Sequence, residues 1–465
     1  MPISAIKSHP VQSPYAIDDH ESYQEYCLQI IREKSAGLTS IGEIKANEPD
    51  INIYPNIQTL EEPRDIYLLD DEAITDAERL LAETAILDGK LFSEHMAAGE
   101  ATRLGLGAKY LLNIREDLTT TRIAALISNE KDIRITEKNV LDASGYPPES
   151  IRSLSLGARH MLQFSYDIHT LAVKHNRNPL DVLSKQQMLL ILNETSADEI
   201  INEISAFNFF GFAREHVLFM VQQSYHGIGL ENGRFFIDHN SPKRLHNHGQ
   251  IVIQQTMDKQ IFRIGDKGDK RFLKREAYFN ILETMENKIT YNIEDLDFLT
   301  GAIDYGAIAF ALTQGKKGSR MIMEIVGNDP LHPQKGGMAA YDPLLGRNVM
   351  IEGFQLKGIQ NKDIHYLNKN INHYPRPAES WSIVKQQGLH MPITVKDGYI
   401  YYQPVQGDIN FLVQTSFFSR KIKRPIKALK SPCNLPLAIH QMNRQDHQSG
   451  FQAYVNKFTD VAMQK

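Results

Sequence analysis

Two apolar runs constrain this chain more than anything else in it. Gln187–Leu192 (QMLLIL) and Val217–Val221 (VLFMV) are short and apolar almost throughout, as strands buried on both faces are. Helical patterns alternate with them. Leu156 to Lys174 carries Met161, Leu162, Phe164, Ile168 and Leu171 on or near one face. After the first run, Thr195 or Ser196 is placed to cap a helix whose first turn holds Asp198 and Glu199. Strands and helices alternating at this spacing predict an α/β sheet with crossover helices. Ligands of such sheets sit beyond the carboxyl ends of the strands, so the segments that leave those ends carry the functional reading.

One such segment is Leu91–Lys109, LFSEHMAAGEATRLGLGAK. It begins as a buried strand and breaks into a loop carrying Gly99, Gly105 and Gly107, with Thr102, Arg103 and Lys109 spaced through it. Glycines let backbone N–H groups approach an anion, and Arg and Lys supply charge, so the loop suits phosphate. No Gly-Lys-Ser/Thr closes it as in a P-loop, and no GxGxxG opens a helix; an ordinary glycine-rich connection is the alternative. The Asn193 strand end and the Gln222-Gln223 strand end would converge with it on one cleft. A further strand, Ile289–Ile293, ends in Glu294-Asp295-Leu296-Asp297. Carboxylates at a strand end beside a phosphate loop are what Mg²⁺ needs, since a hard cation takes oxygen ligands; a solvent-facing acidic turn is the alternative.

Ala97-Ala98-Gly99-Glu100-Ala101-Thr102-Arg103-Leu104-Gly105, followed by Lys109, resembles the signature loop of the sugar-1-phosphate uridylyltransferases, the UDP-glucose, UDP-N-acetylhexosamine and UDP-sugar pyrophosphorylases. The resemblance runs through residues 88–415. LLILNETSADEI, FFGFAREHVLFMVQQS and His246-Asn247-His248-Gly249 follow in the family's order, and His365 to Ile371 is similar to its Phe-Asn-Thr-Asn segment. It implies a Rossmann-like nucleotide-diphospho-sugar transferase core with a mixed, mainly parallel sheet. It also implies attack of a sugar 1-phosphate on UTP, with Mg²⁺ as cofactor. Carried over residue by residue, Arg103 and Lys109 would hold the triphosphate. Ala98, Gly99 and Thr102 would line the nucleotide, and Gln222 or Gln223 would read uracil with an amide that both donates and accepts. His248 and Gly249 would touch nucleotide or sugar, Asn247, Asn368 and Asn370 the sugar phosphate, and Glu294 or Asp295 the metal. The sequence departs from the family pattern at Ala101, Ala108, Gln250 and Gln414. Gln414 stands where several branches carry a phosphate-binding lysine, for which Lys421, Lys423 or Arg424 could substitute from the basic run SRKIKRPIKALK.

At 465 residues the chain exceeds one simple core. We read a helical extension over 1–87, a catalytic core over 88–375 and a C-terminal region over 376–465. A net charge of −5 gives no drive toward nucleic acid or anionic membrane. No apolar run reaches the ~18–20 residues of a membrane span. Two cysteines, Cys27 and Cys433, imply no disulfide framework, and a cytoplasmic setting is the expectation. His246 and His248 could begin a metal site, but no third ligand stands near them in sequence. Residues 259–280, dense in Lys and Arg, read as a charged loop. Two rival functions remain open at this point: a glycosyltransferase using Asp295-Leu296-Asp297 as a metal motif, and a degenerate, non-catalytic relative.

Overall fold

The apolar runs lie in the middle of a twelve-stranded sheet. A computed structural model describes residues 17–99, 105–422 and 427–462. In chain order the strands are β1 (Tyr67–Leu69), β2 (Leu91–Met96), β3 (Gln187–Asn193), β4 (Val217–Gln222), β5 (Ile261–Ile264), β6 (Lys270–Phe272), β7 (Asn287–Asn292), β8 (Met321–Gly327), β9 (Met338–Asp342), β10 (Arg347–Ile351), β11 (Tyr366–Pro375) and β12 (Thr415–Arg420). Across the sheet they run β1-β12-β8-β11-β7-β2-β3-β4-β5-β6, with the β9–β10 hairpin attached at β11. β7, β2, β3 and β4 are parallel, so Asn292, Met96, Asn193 and Gln222 end at one edge. β11 runs against β7 and β8. The architecture is α/β, with a mixed, mainly parallel sheet between helical layers.

Side-chain alternation sorts the two layers. Met188, Leu190 and Leu192 of β3 pack with the helices Asp76–Leu87, Leu156–Lys174, Ala197–Ala206 and Tyr305–Lys316. Leu189 and Ile191 pack on the other side with His20–Lys34, Gly249–Gln255, Arg275–Glu283 and Pro377–Gln387. Burying each such side chain is worth roughly 1.5–3 kcal/mol, which fixes the register of the central strands. The helix Leu156–Lys174 has the bounds its pattern predicts, and its buried Arg159 is paired with Asp446 at 2.9 Å. That pair ties the C-terminal helix Leu435–Asp446 to the core. Among the described residues no helix is long and apolar enough to cross a membrane.

Several local expectations are corrected. Residues 259–280 are not a loop: they form β5, β6 and the first part of the Arg275–Glu283 helix, their charges lying on an edge hairpin that faces water. Asn368 and Asn370 lie within β11. β2 is buried, yet it carries Glu94 and His95 where an apolar strand was expected.

Candidate active site

At the shared strand edge the chain first secures the loop after β2. Ala97 N–H donates to Ile191 O at 2.9 Å, and Asn193 Nδ2 donates to Ala98 O at 3.1 Å. The same Asn193 accepts at Oδ1 from the backbone of Thr195 and Ser196, at 3.1 and 2.8 Å. Asn193 thus does the organising expected of Thr195 or Ser196, and Ser196 makes no side-chain cap to its helix. Lys109 N–H donates to Gly99 O at 3.1 Å and closes the loop at its base. Gly105 and Gly107 are left-handed, with φ of 65° and 74°, a backbone glycine adopts at little cost. Thr102 and Arg103 lie outside the described residues.

Across the edge, Lys109 Nζ meets Glu294 Oε2 at 2.5 Å, both side chains largely shielded. The expected phosphate lysine and the expected metal carboxylate, 185 residues apart, are therefore partners. A second strand-like contact completes the wall. Leu296 N–H donates to Lys427 O and Leu429 N–H to Glu294 O, each at 2.8 Å. This ladder puts Lys430 Nζ 3.6 Å from Glu294 Oε1 and Lys427 Nζ 2.7 Å from Asp297 Oδ1. A cavity of about 320 Å³ opens here, lined among others by Glu294, Asp295, Asp297, Lys427, Lys430 and Lys369, and by Arg420 and Asp304. Burial pushes the Asp295 carboxyl up to about 6.

This geometry corrects the reading of the basic run. Gln414 lies at the amino end of β12, where its carbonyl accepts from Arg320 and Met321, remote from the carboxyl edge. Lys421 is exposed and paired with Asp70 at 2.8 Å. Lys423 and Arg424 lie outside the described residues. Among the cations that line the cavity are Lys427 and Lys430, at the end of the same run, and Lys369, Arg420 and Arg79, which sequence reasoning missed. Lys369 and Arg420 converge on Glu324, both at 2.7 Å. Nothing short of knowing that β8, β11 and β12 are neighbours could have paired them.

The other carried-over residues stand apart from Lys109 and Glu294. Gln222 is buried, and its amide donates to Asn247 O at 2.9 Å. Gln223 lines a second cavity of about 280 Å³ with Glu194, Gln260 and Lys270. The departure Gln250 braces the local chain, since its Nε2 donates to Gln223 O at 2.8 Å and its Oε1 accepts from His246 N–H at 3.1 Å. His246 is a buried core residue among Tyr23, Tyr225 and Tyr402, held neutral by burial, which pushes it down to about 3. His248 is exposed at the surface, and its Nδ1 accepts from the Gln406 N–H at 3.3 Å. Gly249 is needed for its own chain: a Cβ there would stand 2.3 Å from the Pro404 carbonyl carbon. Asn247 has φ of 59°, and its Oδ1 accepts from His248 N–H at 2.8 Å. Asn368 hydrogen-bonds Glu352 while its neighbour Lys369 lines the cavity. The β8–β11 register slips between Met323 and Ile325, a bulge that re-aims side chains here. Asn370 lies on the same strand.

The donor set fits Mg²⁺ in one form. Among the described residues no three His, Cys, Asp or Glu side chains gather as a metal cage. Glu294 and Asp295 nonetheless share the cavity with Lys369, Lys427 and Lys430. Mg²⁺ is ordinarily held by one or two carboxylates, with substrate phosphates and waters supplying the rest.

No family model and no curated protein matches the chain by sequence. Solved structures do. UDP-N-acetylglucosamine pyrophosphorylase from Trypanosoma brucei superimposes with a TM-score of 0.58 at 13% identity, over 90% of this chain and 84% of that one. The chain has the UDP-sugar pyrophosphorylase fold. A single-site mutant of UDP-glucose pyrophosphorylase from Leishmania major matches with a TM-score of 0.54 at 13% identity, over 88% of this chain and 77% of the other. At this identity the pyrophosphorylase likeness is one of fold. The chain's chemistry has to be argued from its own residues.

Proposed function

We propose that the protein is a Mg²⁺-dependent uridylyltransferase that makes UDP-sugar and pyrophosphate from UTP and a sugar 1-phosphate. The observation that carries this is the meeting of Lys109 and Glu294 at the rim of a cavity lined by Glu294 with Lys369, Lys427, Lys430 and Arg420 among its cations, at the carboxyl edge of a pyrophosphorylase-type sheet. In this reading an oxygen of the sugar 1-phosphate forms a bond to the α-phosphorus of UTP. The bond from that phosphorus to the β-phosphate bridging oxygen breaks, and pyrophosphate leaves with its electron pair. Such a reaction needs positioning and charge stabilisation more than covalent help. Lys109, with Arg103, takes charge developing on the leaving pyrophosphate, and Lys427 and Lys430 hold phosphate from the opposite wall. Glu294 and Asp295 would hold Mg²⁺, which neutralises phosphate charge when bound. Ala98, Gly99 and Thr102 line the nucleotide, Gln222 or Gln223 reads the base, and His248 and Gly249 form the wall beside it. Asn247, Asn368 and Asn370 serve the sugar phosphate.

The test is pyrophosphate release from UTP and Mg²⁺ over a panel of sugar 1-phosphates, for the wild type and Lys109→Met. Release with one sugar, reduced by about 10²-fold or more in the variant, is the expected result, the size of losing one preorganised charge contact. No release with any sugar would overturn the proposal.

A further inference from the structure

Beneath the cleft lies a polar cluster that the proposed reaction does not use. Lys288 of β7 and Glu94 of β2 are fully buried, with Nζ and Oε2 2.7 Å apart. Gln255 joins both. Its Nε2 donates to Glu94 Oε2 at 2.6 Å, and its Oε1 accepts from Lys288 Nζ, the Tyr278 hydroxyl and the Trp381 indole N–H at 2.7, 2.8 and 2.8 Å. The Trp381 ring covers the ammonium, 3.8 Å from its centroid. This half of the cluster is rigid because every strong donor in it is satisfied at short range.

The other Glu94 oxygen faces different partners. Oε1 accepts from Thr290 Oγ1 at 3.1 Å and from Gln406 Nε2 at 3.0 Å, and Thr290 lines the main cavity. Gln406 is buried, and its backbone N–H donates to His248 Nδ1 at 3.3 Å. Two residues back, Pro404 O accepts from Gly249 N–H at 2.9 Å. The segment 404–406 is thus the surface on which the His248–Gly249 turn rests, and Gln406 is its anchor to the sheet.

We propose that Gln406, held by the buried Glu94–Lys288–Gln255 cluster, is a positioning residue that fixes His248 in its Nε2–H tautomer. A neutral imidazole has one donor and one acceptor nitrogen, and the bond made at one decides the proton at the other. An N–H aimed at Nδ1 makes Nδ1 the acceptor and leaves the proton on Nε2. Phosphate oxygens and the uracil carbonyls are acceptors, so an N–H is what a ligand at this wall can use. That last step rests on the proposed function, whereas the tautomer does not.

The experiment is ¹⁵N NMR of the full chain labelled in histidine, with the His248 signals assigned by their loss in His248→Asn. In the wild type at neutral pH the expected result is one tautomer, protonated at Nε2. Gln406→Glu sets a carboxylate oxygen against Glu94 Oε1 and should give mixed tautomers, with affinity for UTP lowered about tenfold. Should that variant not fold, Gln406→Leu removes the same hydrogen bonds without adding charge, and the same mixing is expected. A wild type protonated at Nδ1, or a folded Gln406 variant that keeps the single Nε2–H form, would overturn the inference. Failure of the wild type to bind UTP would count against the proposed function alone, since the tautomer is read without ligand.

Discussion

Replacing Lys288 by Met removes one charge from a pair sealed off from water. At 2.7 Å the attraction between Lys288 and Glu94 is about 6 kcal/mol with an effective dielectric constant of 20. Desolvating each ion costs several kcal/mol, so the intact pair sits near break-even. The single substitution is a different matter. It leaves the Glu94 carboxylate buried with only the neutral donors of Gln255, Thr290 and Gln406. We expect Lys288→Met to cost about 3–5 kcal/mol, the usual effect of orphaning a buried ion. Glu94→Gln with Lys288→Met removes both charges and keeps the amide geometry, and should cost about 1–2 kcal/mol. The assay is equilibrium urea unfolding followed by tryptophan fluorescence. Trp381 is the chain's one tryptophan, and its indole N–H is bonded inside the cluster. The midpoint should fall with the slope unchanged. A single variant within about 1 kcal/mol of wild type, or a double variant no more stable than the single, would refute the view that the pair acts as a unit.

Other perturbations test other joints of the structure. Gly249→Ala places a Cβ 2.4 Å from Val405 N and 2.6 Å from Pro404 O; backbone must move, and calorimetry should show a lower melting temperature, at a cost of about 1–3 kcal/mol. Arg420→Met takes the guanidinium away from Asp71, Asp304 and Glu324, while Glu324 keeps Lys369; a loss of about 1.5–3 kcal/mol is expected, with hydrogen exchange rising first in β1, which this cluster helps tie to the sheet. Burial pushes Glu203 up to about 7 and Asp167 up to about 6. These groups keep protons in the folded state where the unfolded chain has lost them, so the folded state binds more protons between about pH 4 and 7 and this contribution to stability falls as pH rises through that window. Glu203→Gln should flatten the upper part of that slope, measured as melting temperature at about pH 5.5 against about pH 7.5.

What could be read in the sequence follows a physical line. Gln187–Asn193 and Val217–Gln222 were legible because a central parallel strand buries both faces and must be apolar, and Leu156–Lys174 because one helix face is buried. β2 and β7 were legible as strands from Leu91 and from Ile289, but not what they bury. Only the pairing of Glu94 and Lys288, 194 residues apart in sequence, lets their opposite charges sit in the core. Lys427 and Lys430 escaped for a related reason. A linear motif match counts residues from β12 and lands on Gln414, at the wrong end of the strand. The carboxyl edge is reached only after β12 has crossed the sheet, where Lys427 and Leu429 pair with Leu296 and Glu294. Gly249 shows the converse. A glycine beside a presumed ligand loop invites a ligand, but here its missing side chain makes room for Pro404.

The resting site is self-neutralised, and this has a testable consequence. Lys109 and Lys430 both direct their charge at Glu294. Phosphate arriving alone must compete with that carboxylate for the same ammonium groups. In the proposed function Glu294 would hold Mg²⁺, and a Glu294 so engaged would leave the lysines to phosphate. Glu294→Gln separates the two roles. It keeps the shape and gives up the charge, leaving Lys109 free for an anion. In EDTA, inorganic pyrophosphate should bind this variant more tightly than wild type, by about tenfold. That factor corresponds to about 1.4 kcal/mol, a fitting size for one partly shielded ion pair. Pyrophosphate release in Mg²⁺ should fall in the same variant. Isothermal titration reads the first and a coupled phosphate assay the second. Metal-free pyrophosphate affinity that is unchanged or weaker would mean that Glu294 does not hold Lys109 back, and that the pair is part of the scaffold.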